Sequence, residues 1–432
     1  MSQKVSLKVI PALLLAGFSG AAAAAGFSLF SQGSGMGNAW AGSAAKSSDA
    51  STIYYNPAGM TQLQAREASG GLYLGRPVFK FDDEGSQVGV FRLFGDGGDS
   101  GSWAAIPNGY LSWALTKDLY VGIGVGAPFG QSTKYDDPWK GSAQSNEFDI
   151  KTININPSIA FRVNDMFSIG GGVSWQKIEA DYYKRLAITP GAAGVTAHVN
   201  LEDDAWGWNI GVLFTPSPAT KVGLSYRSSI KYNTDGSNTL KSDGWPGANQ
   251  VYLGAVLSGV QSNVEADVEL PAMAILSVAQ KLSDQWELLG DVSWMGWDSI
   301  QHIDVDHTNG LRSGRTLLSL PALFENTYRI ALGTNYTYSD SLKFMFGVAY
   351  DKSPVKNSQT RLASLPDNDR IWWATGAEWK PEKNQRLEVG LMYEYIQGSS
   401  IDHYEGPASG RLKGDYNGSG VWIVGGQYSI AF

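Results

Sequence analysis

Lys151 to Val163 reads KTININPSIAFRV, and its side chains alternate between apolar and polar with a period of two. Successive side chains of a β-strand point to opposite faces, so this alternation predicts a strand with one apolar and one mostly polar face. Asn263 to Leu270 alternates in the same way, with valine and alanine set against Glu265, Asp267 and Glu269. A slip of one residue would place these three carboxylates on the apolar face.

The same pattern recurs along the chain and predicts fourteen strands, an even number. Tight turns such as Lys117-Asp118 and Ser339-Asp340 alternate regularly with long loops. Bacterial outer-membrane barrels have short turns at one end and long external loops at the other, a pattern that soluble sandwiches do not explain. The predicted strands span 66–81, 103–115, 119–128, 150–163, 166–181, 204–215, 220–233, 262–282, 285–303, 326–338, 341–352, 370–380, 385–397 and 418–432.

Composition agrees with an all-β fold and narrows the possible functions. The 432 residues include 52 glycines, 15 tryptophans and 20 tyrosines, and only 17% are charged, below the ~25% typical of soluble domains. The net charge of -8 argues against nucleic acid as a partner. The absence of cysteine excludes disulfides and thiolate metal sites.

Both ends of the chain predict export to the outer membrane. Lys4 and Lys8 precede the apolar stretch 9–18, and 21–25 offers a small-residue cleavage site, so residues 1–25 are predicted to be a signal peptide. The last strand, VWIVGGQYSIAF, ends on Phe432 and resembles the C-terminal assembly signal of outer-membrane barrels. We therefore expect a multi-pass antiparallel barrel over residues 66–432, embedded among outer-membrane lipid and lipopolysaccharide and inserted by the barrel-assembly machinery.

Residues 26–65 precede the first predicted strand and lack its alternation. A barrel of fourteen strands is wider than its own inward side chains can fill, because eight strands are just filled and sixteen leave a water channel. This segment is rich in glycine, alanine and serine, which permit tight turns and close backbone packing. We expect it to lie inside the barrel as a plug, or hatch.

The N-terminal segment also resembles the FadL family of long-chain fatty-acid transporters from the Gram-negative outer membrane. The resemblance extends to YRIALG at Tyr328–Gly333, SPV at Ser353–Val355 and LPDNDR at Leu365–Arg370. It covers nearly all of the chain after residue 25. The N-terminal residues that carry it are Gly26, Phe27, Leu29, Gly35, Gly37, Ala39, Gly42, Asp49, Ala50, Asn56, Pro57 and Ala58.

The resemblance implies a monomeric transporter of hydrophobic compounds with no cofactor and no enzymatic activity. It implies a hatch anchored at Asn56, Pro57 and Ala58. It also implies a route with three steps: capture in external loops, binding beside the hatch, and lateral release at a kink in the third strand. Gly124, Gly126, Ala127 and Pro128 are the residues that we expect at this kink, because glycine favours bulges and proline cannot donate to the ladder.

Ligand contacts are expected in two places. Beside the hatch these are Phe27, Leu29 and Phe30, with Arg329 and Lys177 as candidate cations for a carboxylate head group, although the parity of Lys177 follows the lipid-facing residues of its strand. If the apolar faces meet lipid, Glu265, Asp267 and Glu269 point inward and oppose an anion. In the predicted external loops 182–203 and 234–262, the expected contacts are Leu186, Ile188, Val195, Tyr252, Val256 and Leu257.

Other functions remain open from the sequence. Aromatic hydrocarbons are an alternative cargo within the same family, and a general porin is an alternative class. An outer-membrane hydrolase would need a positioned nucleophile and base, and the chain has no recognisable nucleophile motif. The four histidines, His198, His302, His307 and His403, lie in or near predicted external loops, where we expect no metal site.

Overall fold

The computed structural model describes residues 26–89, 93–189, 192–242 and 261–432, and almost all of its regular structure is β. Strand limits are given in chain order: β1 (Arg66–Val78), β2 (Phe81–Asp83), β3 (Ala104–Ala114), β4 (Leu119–Gly126), β5 (Gly130–Lys134), β6 (Glu147–Arg162), β7 (Phe167–Thr189), β8 (Ala192–Ser217), β9 (Thr220–Arg227), β10 (Ile230–Ser242), β11 (Ser262–Leu270), β12 (Met273–Lys281), β13 (Trp286–Met295), β14 (Ile303–His307), β15 (Thr316–Leu320), β16 (Thr327–Ser339), β17 (Leu342–Asp351), β18 (Arg370–Trp379), β19 (Gln385–Ile396), β20 (Ser399–Tyr404), β21 (Arg411–Tyr416) and β22 (Gly420–Ala431).

Helices are few and short. They are α1 (Ser43–Lys46), α2 (Thr52–Tyr55) and α3 (Gly406–Ser409), with 3₁₀ turns at Met36–Asn38, Pro57–Gln62, Trp297–Ser299 and Gly310–Arg312. In the described part of the chain no helix has the length and apolarity needed to cross a membrane.

The sheet closes on itself into a barrel of fourteen antiparallel strands, which confirms the predicted number. β1 pairs with β3 on one side and with the last strand, β22, on the other, from Glu67↔Ala431 to Val78↔Gly420. The third, seventh and eighth barrel strands are each built of two pieces, β4 with β5, β9 with β10, and β11 with β12. A separate three-stranded sheet of β2, β21 and β20 covers one part of the external end.

The two ends of the long strands obey opposite polarity rules. In the lower part of β7, Ile169 and Val173 are exposed on the outer face, while Ser174 and Gln176 are buried inside. Above Trp175 the polarity of the two faces is reversed. The inner face is apolar there, with Ile178 and Tyr182 buried within the barrel, and the outer face is charged, with Lys177 pointing outward. The upper ends therefore have a charged outer surface, as in a soluble sheet, around an apolar interior.

This exchange overturns two predictions. Glu265 and Asp267 are exposed on the outer face of β11, with Val264 and Ala266 buried inside, so the inward orientation predicted for these carboxylates and Glu269 is wrong. The predicted external loop 182–203 is also wrong, because β7 and β8 continue through it as a hairpin with the pair Leu186↔Val195. The predicted alternation is present in β11, but at this height of the barrel its apolar face meets the interior and its charged face is on the outside.

Residues 26–62 lie inside the barrel and are almost entirely buried. Their backbone packs against glycines on the inner face of the wall, where a Cβ atom would lie within 3.0 Å of the segment. Seven of these hatch-facing glycines lie on seven different strands and so surround the segment: Gly170, Gly211, Gly223, Gly333, Gly347, Gly376 and Gly390.

Adding a methyl group at a hatch-facing glycine should destabilise the protein. At Gly347 a Cβ would overlap the backbone of Asn38 and Ala39, which cannot move as a flexible side chain can. We expect G347A to lower the free energy of unfolding by about 1 to 3 kcal/mol, the usual cost of overpacking. The measurement is urea unfolding in lipid vesicles, followed by tryptophan fluorescence.

Gly290 provides the matched control because its Cβ position is open, with the nearest atom, Leu332 Cδ2, at 3.6 Å. G290A should therefore change stability little. Equal destabilisation by G290A and G347A would show that contact with the N-terminal segment is not the cause.

Candidate functional site

The third barrel strand is interrupted at residues 127–129, and the N-terminal segment lies against the interruption. Leu29 N donates to Pro128 O at 2.8 Å, and Gly130 N donates to Phe27 O at 2.8 Å. Ser28 and Phe129 thus form an isolated antiparallel bridge. The segment supplies a short length of strand where the wall has none of its own.

Gln32 satisfies the backbone groups of Ala127, while Thr152 of β6 satisfies those of Phe129. The Nε2 of Gln32 donates to Ala127 O at 2.7 Å, and its Oε1 accepts from Ala127 N at 3.0 Å. A side chain at Gly126 would collide with Gln32 Oε1. Unpaired backbone groups cost several kcal/mol in a membrane, so these contacts explain how the interruption is tolerated.

The interruption opens the ladder between the second and third barrel strands. Pairing of β3 with β4 runs from Ala114↔Tyr120 only as far as Gly109↔Val125. Residues 104–108 of β3 still pair with β1 but have no partner in the third strand. The side-chain amide of Asn108, at the edge of this opening, has no hydrogen-bond partner.

Of the four residues predicted at the kink, Ala127 and Pro128 lie in the interruption. Gly126 still pairs with Asn154. Gly124, two residues earlier in β4, is paired on both sides, with Tyr110 and Asn156. The ladder with the second strand therefore ends within the predicted range, at Val125, and the ladder with the fourth strand ends one residue later, at Gly126.

Asn56, Pro57 and Ala58 connect the hatch to the fifth and sixth barrel strands. Asn56 Nδ2 donates to Val212 O in β8 at 2.9 Å and to Ala44 O at 2.7 Å, and its Oδ1 accepts from Ala58 N at 3.1 Å. Gly170 and Gly211 leave room for Ala58 and Asn56. The three residues thus hold two parts of the hatch and the wall together.

Tyr55, from the same stretch, holds the N-terminal strand-like residues in place. Its hydroxyl donates to Phe30 O at 2.7 Å and accepts from Gln32 N at 3.2 Å. Burial, with the neighbouring Tyr73 and Tyr110, raises the pKa of Tyr55 well above its ordinary value. The hydroxyl therefore remains a neutral donor.

The first described residue is held at a distant point of the chain. Gly26 N donates to Asp367 Oδ2 at 2.8 Å, and the same carboxylate pairs with Arg370 at 2.6 Å and accepts from Ser353 Oγ at 2.7 Å. If export processing leaves Gly26 as the first residue, its amine is charged and this contact becomes an ion pair. Sequence reasoning recognised LPDNDR by resemblance but assigned it no role.

Phe27 belongs to an apolar cluster at the external end of the lumen. Its ring centroid lies 4.7 Å from that of Trp297 and 6.2 Å from that of Phe129. Two small cavities of about 20 and 10 Å³ touch this region, so its side chains are packed together. We call it the outer apolar cluster: Phe27, Phe129, Ile150, Ile178, Tyr182, Val199, Leu201, Ile230, Tyr232, Val264, Ala266, Leu270, Trp297, Ile300, Val305, Leu318, Leu320, Ala322, Phe324, Val355, Leu362 and Leu365.

Leu29 and Phe30 are buried in a second cluster, deeper in the barrel. The Phe30 ring packs against Tyr55, Trp40 and Trp372, with centroid distances of 5.7, 6.2 and 6.5 Å. The three apolar residues predicted to meet a ligand thus line the lumen from the outer apolar cluster down to the core of the hatch.

Arg329 points inward, as predicted, but its charge is already balanced. Nη1 lies 3.0 Å from Asp291 Oδ1, Nη2 donates to Ala39 O, and the guanidinium stacks over Phe30 and Trp372 at 4.3 and 4.7 Å. Arg329 therefore ties the hatch to the wall, a structural role that the sequence left open.

Lys177 does not reach the lumen, so its prediction as a ligand contact is wrong. It lies on the outer face of β7 and pairs with Glu179 and Glu202, each at 2.9 Å. Its position in the alternation of β7, on the same face as the lipid-facing residues, correctly indicates an outward side chain.

The residues predicted for an external groove are only partly described. Val195 is buried and Leu186 is half-buried on the inner face of the β7–β8 hairpin. Ile188 lies in β7, while Tyr252, Val256 and Leu257 fall outside the described residues.

A polar cavity of about 310 Å³ lies at the opposite end of the barrel, beneath the hatch. Among its lining residues are Lys46, Glu67, Lys343, Glu378 and Arg386. Glu378 lies 3.2 Å from Lys343 and 3.6 Å from Arg386. Charged walls of this kind are unfavourable for an apolar solute.

A closed barrel, stoppered by its own N-terminal segment and interrupted in one wall strand, defines a plugged membrane channel. The chain belongs to the family of outer membrane protein transport proteins (OMPP1/FadL/TodX), whose model matches residues 15–432. It is accordingly an outer-membrane transporter of hydrophobic compounds and not an enzyme.

Known proteins agree with this assignment. A long-chain fatty acid transport protein of Salmonella typhi is 29% identical, with 100% of both chains covered. The crystal structure of a Pseudomonas aeruginosa FadL homologue has a TM-score of 0.84 at 23% identity, covering 94% of this chain and 99% of that one. The Ralstonia pickettii toluene transporter TbuX has a TM-score of 0.66 at 16% identity, covering 94% and 100%. The two structural likenesses concern the fold alone.

Neutralising either member of the Arg329–Asp291 pair should destabilise the protein, because the other charge is left buried without a partner. We expect R329Q and D291N each to lower the free energy of unfolding by about 3 kcal/mol, and the double variant to lose less than the sum. Urea unfolding of the four proteins in vesicles measures this coupling.

The exposed pair Lys231–Glu269, at 3.4 Å, is the control. K231Q should change stability by less than about 1 kcal/mol. Strictly additive effects of R329Q and D291N would contradict a direct interaction between the two side chains.

Proposed function

We propose that this protein takes up long-chain fatty acids and releases them sideways into the membrane through the opening between the second and third barrel strands. The observation that supports this most is the interruption at residues 127–129, which is backed by the N-terminal segment inside the barrel and not by another wall strand. The hydrogen bonds that close it come from the backbone of Phe27 and Leu29 and from the side chain of Gln32, so displacement of these residues unblocks the wall.

Lateral release is the favourable direction for an apolar solute. Each CH₂ group removed from water contributes about 0.8 kcal/mol, so a fatty-acid chain gains by passing directly into lipid. The axial route runs through the packed hatch to a cavity with charged walls. Lipid at the level of the interruption offers the shorter apolar path.

Cargo first meets the external end of the barrel. We assign capture to Leu186 and Val195 on the inner face of the β7–β8 hairpin, together with Ile188, Tyr252, Val256 and Leu257. From there it enters the outer apolar cluster and reaches Phe27, Leu29 and Phe30. Two cavities that touch the described part of this region hold about 20 and 10 Å³, so we expect entry to separate the packed side chains around them.

Fatty acids are the favoured cargo because full-length relatives at 28–29% identity are long-chain fatty acid transport proteins. Aromatic hydrocarbons are the alternative, favoured by the similar fold of the toluene transporter TbuX. Uptake of labelled oleate and of toluene by cells that depend on this protein separates the two classes.

The proposal also covers the oligomeric state, the membrane environment and the assembly of the barrel. We propose that it acts as a monomer among outer-membrane lipid and lipopolysaccharide. The barrel-assembly machinery would recognise β22 and the terminal Phe432, whose ring contacts Trp113 at a centroid distance of 6.5 Å.

A disulfide between the hatch and the interruption should block transport. Ser28 and Phe129 face each other in a bridge flanked by two hydrogen bonds, a pairing with Cα atoms about 4.5 Å apart that suits a disulfide. The chain has no native cysteine to interfere. We expect oxidised S28C/F129C to lose at least about tenfold of its oleate uptake rate and reduced protein to regain it.

The single variants S28C and F129C, treated with the same oxidant and reductant, control for the loss of either side chain. Unchanged uptake by fully oxidised S28C/F129C would contradict release through this opening.

Ion conductance tests the alternative of a general porin. The hatch packs against seven strands, so the intact protein in a planar bilayer should show no large steady current. Large open currents from protein that retains residues 26–65 would favour the porin.

A further inference from the structure

A patch of buried polar side chains lies on the inner face of the fourth to seventh barrel strands. Every member is at least nine-tenths buried. Asn154 Nδ2 donates to Gln176 Oε1 at 3.0 Å, and Asn156 Nδ2 donates to Asn209 Oδ1 at 3.0 Å. We call it the lumenal polar patch: Asn154, Asn156, Ser174, Gln176, Asn209 and Arg227.

Arg227 is the charged member of this patch. Its Nη1 donates to Ser174 Oγ at 2.8 Å, and its Nη2 donates to Tyr54 O at 3.1 Å and Asn156 Oδ1 at 3.2 Å. The guanidinium stacks over the Tyr54 ring at 4.5 Å. All of these partners are neutral, and no carboxylate of the described residues lies within 4.0 Å of the guanidinium.

Two other buried arginines are paired with carboxylates, whereas Arg361, like Arg227, donates to carbonyl oxygens, those of Asp367 and Ser400. Arg329 pairs with Asp291, and Arg370 pairs with both Asp367 and Glu394. Burying a charge without a counter-charge is costly, and the groups around Arg227 offset that cost with neutral dipoles alone. An uncompensated positive charge of this kind favours binding of an anion.

The patch also contains hydrogen-bond donors without acceptors. Arg227 Nε and Asn209 Nδ2 are buried and have no hydrogen-bond partner. A carboxylate is an acceptor at both oxygens and could take both of these donors at once. The positive charge and the unsatisfied donors therefore both favour a ligand group that is negatively charged and accepts hydrogen bonds.

The patch lies directly beside the interruption in the third strand. Asn156 is the cross-strand partner of Gly124, and Asn154 is the partner of Gly126, the last residue before the interruption. Asn209 and Arg227 face each other across β8 and β9. A head group held here leaves its tail next to the opening in the wall.

We propose that Arg227, with Asn156, Ser174 and Asn209, binds the carboxylate of an anionic amphiphile and selects such cargo over neutral hydrocarbons. The inference rests on the proposed transport function and specifies its substrate class. The carboxylate competes with Tyr54 O for the guanidinium, so that binding of the head group and the position of the hatch are coupled.

The test compares oleate with oleyl alcohol, which has the same tail and a neutral head. Binding to purified protein in neutral detergent is measured by isothermal titration, beside uptake by cells. A charge-assisted hydrogen bond lost at Arg227 should weaken oleate binding by R227Q at least about tenfold, with oleyl alcohol changed less than about twofold. R227K should retain part of the preference for oleate.

A second variant covers the event that R227Q fails to fold. N209D is isosteric and places a carboxylate opposite Arg227, which supplies the missing counter-charge. It should weaken oleate selectively, as R227Q does. The control, R411Q, removes one positive charge from the external sheet, where Arg411 pairs with Asp402, and should affect neither ligand.

The outcomes separate the two proposals. The head-group site would be overturned if R227Q or N209D bound oleate as tightly as the original protein does. It would also be overturned if either variant weakened the binding of oleate and of oleyl alcohol equally. In both cases the proposed transport function would stand. Absence of oleate and oleyl alcohol uptake by the original protein would overturn the proposed function itself.

Discussion

The pairing of every backbone N–H and C=O group at membrane depth is the constraint on which this structure depends. It requires β1 to pair with β22, so that no sheet edge meets lipid. It also explains why the N-terminal segment reaches the wall at residues 127–129, where the third strand cannot pair with the second. The barrel can hold an interruption in its wall because the N-terminal segment of the same chain completes the hydrogen bonding.

The interior meets a related requirement with small side chains and paired charges. Glycines on seven strands let the hatch backbone approach the wall closely, and Arg329 binds both Asp291 and the hatch. The result is a lumen filled by the protein itself. The N-terminal residues that close the interruption are held by backbone hydrogen bonds, by Gln32 and by packing of Phe27 against Trp297 and Phe129, and under the proposed function these are the contacts that cargo would compete for.

Strand number and order could be predicted from the sequence because alternation reports a local property of each segment. The side of each face could not, since it depends on height: Glu265 and Lys177 lie above the apolar band, where the outer surface is wet. The site was predicted in part. Glycine and proline marked the interruption, but Gln32 and Asp367 act through partners 95 and 341 residues away, and nothing local signals such contacts. Likewise, nothing in the sequence around Arg227 indicates a ligand site. The indication is structural: no carboxylate of the described residues pairs with its guanidinium.

The exchange of polarity along the long strands also sets where the opening lies. Gly126 shares a rung with Asn154 and Gln176, and Gly130 shares one with Lys151 and Glu179, so the interruption coincides with the change from apolar to charged outer side chains at Trp175 and Lys177. Under the proposed lateral release, an amphiphile leaving there would enter the outer leaflet with its tail in hydrocarbon and its head group at the polar surface. The opening would thus deliver cargo already oriented, and reversal of that orientation toward the periplasm would be a separate, later event.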